Sequence, residues 1–580
     1  MTPHGRTTLS ARILAALTIT PVLVGITAHA SEWIAPIGIP YPEFGIVETV
    51  ESVYGAEDYY THFVQNDHPA ATDTSNPYGT PSRPRRTVPS SLPAGSVVYV
   101  NGGSYSTGSM CTITGNGTAD APVFLRGNRQ NMPVLPLETA FKGTYFIVEG
   151  LDFNGPTAQA NVLGPSHHLA IRHCEVRNAD GNGAGFCAVG SWDSADPTLV
   201  TDIVFYDNYI HDLGDLDTTS DQDHHGFVIG HHANRIWVVD NEISYTSGSG
   251  LQVNSGFLDE TGDRPAHHVY IGRNHVHHVR QSGLTSKKAR DVIFSQNVVH
   301  DVITTPWSTS KGLAYQYGPY NVWFLFNHVY NCTWGVNGPG NTGGPGGTVY
   351  LIGNVIHDCE WGMLFWDHDQ TVRVLANTIT NVGAGVSYQN GPGIHLRNNI
   401  LADVGGGPHL RVLGSSGTTA ANSTSSHDLF HPSAGSIGIE WGSVYYLTVA
   451  DFQAGTGKGA GNVEADPRFL NGTGGNYRLQ ATSPAVDDGI MLGAYTTYRT
   501  RYGQTIQVDF DGVPRPAGAA HDLGSFELLQ LSAADFPGMA ACLTGPDADA
   551  TADCESYDLH RDGAVDLADY AVFQASVMAP

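Results

Sequence analysis

Charge is scarce in this chain, and lysine is scarcest of all. Only 14% of the 580 residues are Asp, Glu, Lys or Arg, and just five are lysine. A chain short of charged helix formers but holding 69 Gly, 26 Tyr and 21 Phe favours turns and strands over helices. A long β protein with a large core fits better than disorder, which goes with few aromatics. Basic residues are also outnumbered: 28 Lys and Arg against 55 Asp and Glu leave a formal net charge of −27. That balance argues against nucleic acid as a partner and against broad attraction to any acidic polymer. A grip on polyanions must therefore come from a local cationic patch. The seven cysteines are odd in number and widely spaced, which excludes a dense disulfide framework. Beyond the N-terminus no apolar run is long enough to span a bilayer.

What stands at the N-terminus reads as an export signal over residues 1–30. Arg6 and Arg12 supply positive charge, an apolar stretch runs from Ile13 to Ile26, and Ala28-His29-Ala30 is a small-x-small cleavage site. The stretch is short and broken by Pro21, which sets a membrane anchor second. The expected location is extracellular, free or attached to a cell surface. Export permits individual disulfides.

Internal repetition carries the architecture. The phrase apolar-x-apolar-x-x-Asn-x-apolar recurs at Asn208, Asn241, Asn274, Asn297, Asn327, Asn354, Asn377 and Asn399. Five residues before each Asn stands Ile or Val, and two after stands Ile, Val or Leu. Period-two alternation is a strand with one buried face. The spacings are 33, 33, 23, 30, 27, 23 and 22 residues. The shortest suit one coil of a parallel β-solenoid, and the longer ones carry loop insertions. A propeller blade needs about 40–45 residues. Asn side chains stacked at one bend can hydrogen-bond along the axis. Cys174 and Leu151 take the Asn place in two earlier, less regular copies.

A second column follows at Gly226, Gly250, Gly283, Gly312, Gly335, Gly362 and Gly385. The next residue (Phe227, Leu251, Leu284, Leu313, Val336, Met363 or Val386) should point inward, and the residues two and four after each Gly outward.

The Asn-x-Ile/Val-x-Asp/Asn ladder resembles right-handed parallel β-helix proteins of the pectate-lyase-like superfamily, over roughly Val97 to Leu410. The resemblance implies an all-β, single-stranded right-handed parallel β-helix over residues 96–415. It also implies work on polysaccharide, as lyase, hydrolase, epimerase, esterase or non-catalytic surface protein. Asp466-Pro467-Arg468-Phe469, Ser483-Pro484-Ala485 and Asp509 through Glu527 look like the closing segment of such helices, placed at 416–528. The irregular, Pro-rich segment 31–95 is expected to cover the open N-terminal end. In the tail, 529–580, Asp558-x-His560-x-Asp562-Gly563-x-Val565-Asp566-x-x-Asp569 resembles one half of a dockerin. That likeness implies Ca2+ at Asp558, Asp562, Asp566 and Asp569, and a cohesin-like or cell-surface partner. His560 stands where Asp or Asn is usual and no second loop is visible, so a plain small helical tail is the rival reading. Cys542 and Cys554, twelve apart, suit a local disulfide.

The outward position four after each Gly reads Gly230, Asn254, Lys287, Gln316, Pro339, Trp366 and Gln389. Coils stack about 4.8 Å apart. Such a row suits a sugar chain, because amides pair with hydroxyls and an aromatic face stacks on a pyranose. Asn254, Gln252, Lys288, Lys311, Gln316, Trp366, Gln389 and His231 are accordingly candidate substrate-binding residues. Three of the five lysines, Lys287, Lys288 and Lys311, fall on adjacent coils. Loops near 212–223, 254–264 and 302–310 are placed to wall a cleft around them.

In lyases of the resembled superfamily a Lys or Arg removes the proton α to a uronate carboxylate. Lys287 is the candidate base, its pKa lowered by repulsion from Lys288 and Lys311. Tyr317 is the candidate acid. A solvated lysine cluster is the bland alternative. A second candidate is Asp221-Gln222-Asp223-His224-His225, where His224 suits acid–base work and Asp221 and Asp223 suit calcium, with Asp212, Asp215 and Asp217 nearby. It faintly resembles the Asp-Pro-His motif of mannuronan C5-epimerases but lacks the Pro, and a solvated acidic loop explains it equally. The functional reading is a lyase or epimerase on a uronate-containing polysaccharide. The alternatives are a non-catalytic glycan-binding or surface solenoid and, third, a glycoside hydrolase. His277, His278, His300 and His357 follow the Asn column and read as imidazoles stacked at a corner. Cys332 and Cys359 share a register and suit either a disulfide or a buried thiol stack.

Overall fold

The computed structural model describes residues 33–46, 59–105, 111–193, 195–217, 221–256, 262–340, 346–367, 369–414, 417–529 and 536–543, with Cys554, Tyr557, 565–567, Asp569, Tyr570 and Phe573 beyond them. The export signal expected at 1–30 lies outside the described residues.

The repeat closes into a right-handed parallel β-helix, all-β with a few short helices. Each regular coil contributes three strands. On one coil His267–Gly272 leads to the bend at Asn274, His275–His277 follows, and Ser282–Lys287 completes the circuit. The next coil pairs with it in parallel through Val269↔Val292, Val276↔Val299 and Leu284↔Leu313. Alternation then sends one apolar residue in two to the axis, where a continuous core runs from Val64 to Phe452. The residue after each column Gly is fully buried in all seven copies. Gly itself is required there: a Cβ on Gly283 would collide with Val299 and with the Gly312 carbonyl.

The Asn column forms the ladder its repetition implies. From Asn208 to Asn377 each side-chain Nδ2 donates to the next coil's Asn Oδ1 at 2.8–3.0 Å. The ladder continues past residue 415, where Asn399 donates to Asp428 at 2.8 Å and the Asp428 N–H donates to Asn462 at 3.0 Å. Thr424–Ser426 and Leu429–Pro432 pair in parallel with the coil before, so solenoid winding extends into the segment expected only to close it.

The N-terminal segment differs from expectation. Residues 35–46 lie along the flank: the Pro40 carbonyl accepts from Trp237 Nε1 at 2.8 Å and the Ile37 carbonyl from Ser295 Oγ at 2.7 Å. The first rung comes later, where His62–Gln65 pairs in parallel with Val97–Asn101. The helix Gly493–Tyr502 straps the same flank, with Tyr498 OH donating to the Gly38 carbonyl at 2.8 Å and Arg501 paired with Asp291 at 2.6 Å. Cys542 and Cys554 form a disulfide, whereas Cys332 and Cys359 are free and buried. Each of those two thiols donates to a carbonyl of its own coil, the thiol stack of the two readings.

Candidate functional site

The strands Leu251–Asn254, Ser282–Lys287 and Lys311–Gln316 put Asn254, Lys287 and Gln316 in one row across three coils. Lys287 is half-buried there, and burial lowers its pKa while Asp223 and Asp221 pull it back up. The expected cause, repulsion from neighbouring lysines, acts instead on Lys311. That ammonium is lowered to about 8, first by burial and then by Lys287. Lys311 donates to the Thr309 carbonyl at 3.0 Å and stands 5.7 Å from the Trp334 ring centre. Two half-buried lysines thus lie close enough on an acidic protein for one charge to act on the other.

His225, rather than His224, belongs to this group. Burial pushes His225 down to about 4, with Lys287 adding to it and Asp223 opposing it, so it is neutral at pH 7. Its Nδ1 accepts the Ser249 N–H at 2.8 Å, which leaves the ring proton on Nε2. His224 is buried over Gly183 of the coil beneath; its Nδ1 reaches the Gly181 carbonyl at 3.3 Å and its Nε2 has no partner.

Asp221 and Asp223 meet a cation of the chain's own. The fully buried Arg280 guanidinium lies 3.3 Å from Asp221 and 4.0 Å from Asp223, and it also donates to the Ser247 and Gln222 carbonyls. Gln281 Nε2 donates to Asp223. Asp221 and Asp223 are therefore clamped with their carboxylates turned to Arg280 and Gln281. Asp212 is engaged by His211 at 2.6 Å, and Asp215 accepts the Asp217 N–H at 2.9 Å. This arrangement differs from the expected calcium cluster.

Tyr317 does not join Lys287. The strand ends at Gln316, and both Lys288 and Tyr317 sit at bends with φ of +48° and +60°. These bends turn them aside together, with the Lys288 ammonium 5.6 Å from the Tyr317 ring centre and donating to the Gly256 carbonyl at 3.4 Å. His231 stands just past the far end of His224–Ile229 and packs edge-on against His232, so it is separated from His224 by the length of that strand. Further along the face Trp366 pairs in register with Gln389 and meets Trp334 edge-on at 5.5 Å. Gln252, Thr285 and Asn337 form the floor between these rows, and one side-chain oxygen of each is buried without a partner. In the tail, Asp558 and Asp562 lie outside the described residues. Asp569 is buried and accepts the Asp566 N–H at 2.8 Å.

Sequence reasoning missed Arg280, Thr285 and Trp334, and within the His224-His225 run it chose His224. Only His225, in a His-His-Gly run, and Trp334, which precedes a column Gly, carried a signal.

A family model described as "Right handed beta helix region" matches residues 259–425. No curated protein matches. Among solved structures, the periplasmic alginate epimerase AlgG is similar at 12% identity and TM-score 0.34, over 55% of this chain and 74% of that one. The A-module of mannuronan C-5 epimerase AlgE6 from Azotobacter vinelandii is similar at 13% identity and TM-score 0.40, over 64% and 91%. A GH136 lacto-N-biosidase from Eubacterium ramulus is similar at 14% identity and TM-score 0.37, over 62% and 66%. No activity is carried across at these values.

Proposed function

We propose that the face carrying Lys287 and Lys311 acts on a uronate-containing polysaccharide by abstracting the proton α to the uronate carboxylate. In its deprotonated form Lys287 takes that proton on Nζ, and the electron pair moves into the carboxylate. The Lys311 ammonium offsets the growing charge. Collapse that expels the C4 oxygen gives an unsaturated uronate. Return of a proton to the opposite face gives the epimer. The observation that carries this reading is the half-buried Lys287, its pKa lowered by burial, beside a second half-buried lysine. A general base works best when its pKa approaches the working pH. His225 is the candidate proton donor, and the product decides between lyase and epimerase.

The test is incubation of the protein with alginate, pectate and glycosaminoglycan panels, with and without calcium, following unsaturated-uronate absorbance and C5 configuration. No double bond, no epimer and no new reducing end on any panel would leave a non-catalytic glycan binder. The unpartnered floor oxygens of Gln252, Thr285 and Asn337 favour that second reading. Calcium and a cohesin-like partner enter through the tail, where Ca2+ titration of the protein and of Asp566→Asn is the check.

A further inference from the structure

The strands that follow the Asn column stack a separate set of donors, in a different sheet from Lys287. Glu242 and His275 are in register on adjacent coils, as are His277 and His300. His275 and His277 alternate to the same outward face of one strand. One ligand atom each from Glu242, His275 and His277 lies within 4.8 Å of the other two. His275 Nε2 is 2.8 Å from His300 Nε2, and His277 Nε2 is 3.4 Å from Glu242 Oε1. The corner borders a cavity of about 570 Å³, also lined by Glu175, Asp207 and Asp240.

We propose that Glu242, His275 and His277, with His300 against them, form a binding site for a divalent transition-metal ion of the Zn2+ class. Two nitrogens bound to one tetrahedral zinc at about 2.0–2.1 Å stand about 3.3 Å apart. The 2.8 Å pair needs only a small opening to admit the ion. His300 is already oriented for it. Its Nδ1 bonds Asp301 Oδ2 at 2.6 Å, which holds the ring proton on Nδ1 and leaves the Nε2 lone pair toward His275. A carboxylate behind a histidine is the usual second support of a ligating imidazole. Imidazole with one carboxylate suits zinc, copper or nickel, whereas calcium takes oxygen ligands.

The molecule contains its own control. His328 and His357 repeat the pair, with Nε2 atoms 2.8 Å apart and Asp358 behind His357 at 2.6 Å. There the residues flanking His328 in register are Val298 and Val355, and the rings of Phe510 and Tyr477 pack over the pair. That copy lacks the third donor and the open side.

The experiment is zinc titration by calorimetry of the chelator-stripped protein, its His275→Ala/His277→Ala variant, Glu242→Gln and His328→Ala. The double variant should lose one zinc equivalent. Glu242→Gln, which alters a direct ligand, should weaken that equivalent by at least the roughly tenfold that disturbing an outer-shell partner costs, and His328→Ala should leave it intact. Calcium chloride should not compete. No zinc equivalent in the native chain, or an unchanged one in the double variant, overturns the proposal. Should the double variant misfold in a metal-free thermal melt, Glu242→Gln decides alone, because its isosteric change lies on an exposed side chain.

Discussion

The Asn corner and the floor are both columns of positions that recur once per coil on the same solenoid, and both bury polar side chains. They differ in what repeats. At the corner the same amide recurs on eight coils, and each Nδ2 finds the next Oδ1. On the floor the column reads Gln252, Thr285, Ala314, Asn337 and Leu364, and three of these leave an oxygen buried without a partner. An amide carries both donor and acceptor, so identical amides at coil spacing satisfy one another. A mixed column cannot. Each orphan costs about 1–3 kcal/mol, a cost that a bound hydroxyl-rich chain removes. In a solenoid, identity at a repeat position marks what holds the coils together, and departure from it marks where a ligand belongs.

The largest effect is expected from Lys287→Ala, in the row two residues beyond the floor. Activity on the cleaved or epimerised glycan should fall about 1,000-fold, within the range for loss of a general base, with the thermal midpoint unchanged. Full activity in that variant refutes the base assignment. The matching change at the corner is Asn297→Ala, which strips the acceptor from both the Asn274 N–H and the Asn274 Nδ2. It should cost about 3 kcal/mol in urea unfolding without altering substrate affinity. A cost under about 1 kcal/mol would mean the ladder is decoration.

The fold was legible because its determinants are local and recurrent: a β-branched residue five before each Asn, and a Gly wherever a Cβ would strike an aliphatic side chain of the next coil. The ladder's end was hidden by a change of residue type at Asp428. The flank straps were hidden because they rest on pairs such as Tyr498 and Gly38, 460 residues apart. At the site, lysine scarcity pointed to Lys287 and Lys311. Register alone misplaced Tyr317, since a positive φ at a strand end redirects a side chain without leaving a mark in the pattern. Arg280 was invisible for a related reason: its partner Asp221 is 59 residues away and meets it only once the coils stack.

Asp428 tests the corner from within, since it is the ladder's own exception. Burial pushes this carboxyl up to about 6 from an ordinary 3.8. A carboxyl raised on folding contributes stability that is present below its unfolded pKa and lost as pH climbs through its folded one. Asp428→Asn restores the repeat and removes the charge. It should be about 2 kcal/mol more stable than the native chain at pH 8 and nearly equal to it at pH 4, read from unfolding at both values.

The smallest expected effect has the opposite sign to the loss at Asn297. Gln252 buries an oxygen that nothing in the chain bonds, so Gln252→Met keeps the volume and removes the orphan. Replacing an unsatisfied polar group by an apolar one of similar shape is neutral or stabilising. The variant should gain about 0.5–1 kcal/mol while its KM for the glycan rises a few-fold, because the removed amide is one that only substrate would pair. A fall in stability there would show that the floor, like the corner, is held for the fold. A gain without any change in KM would move the substrate off this part of the face.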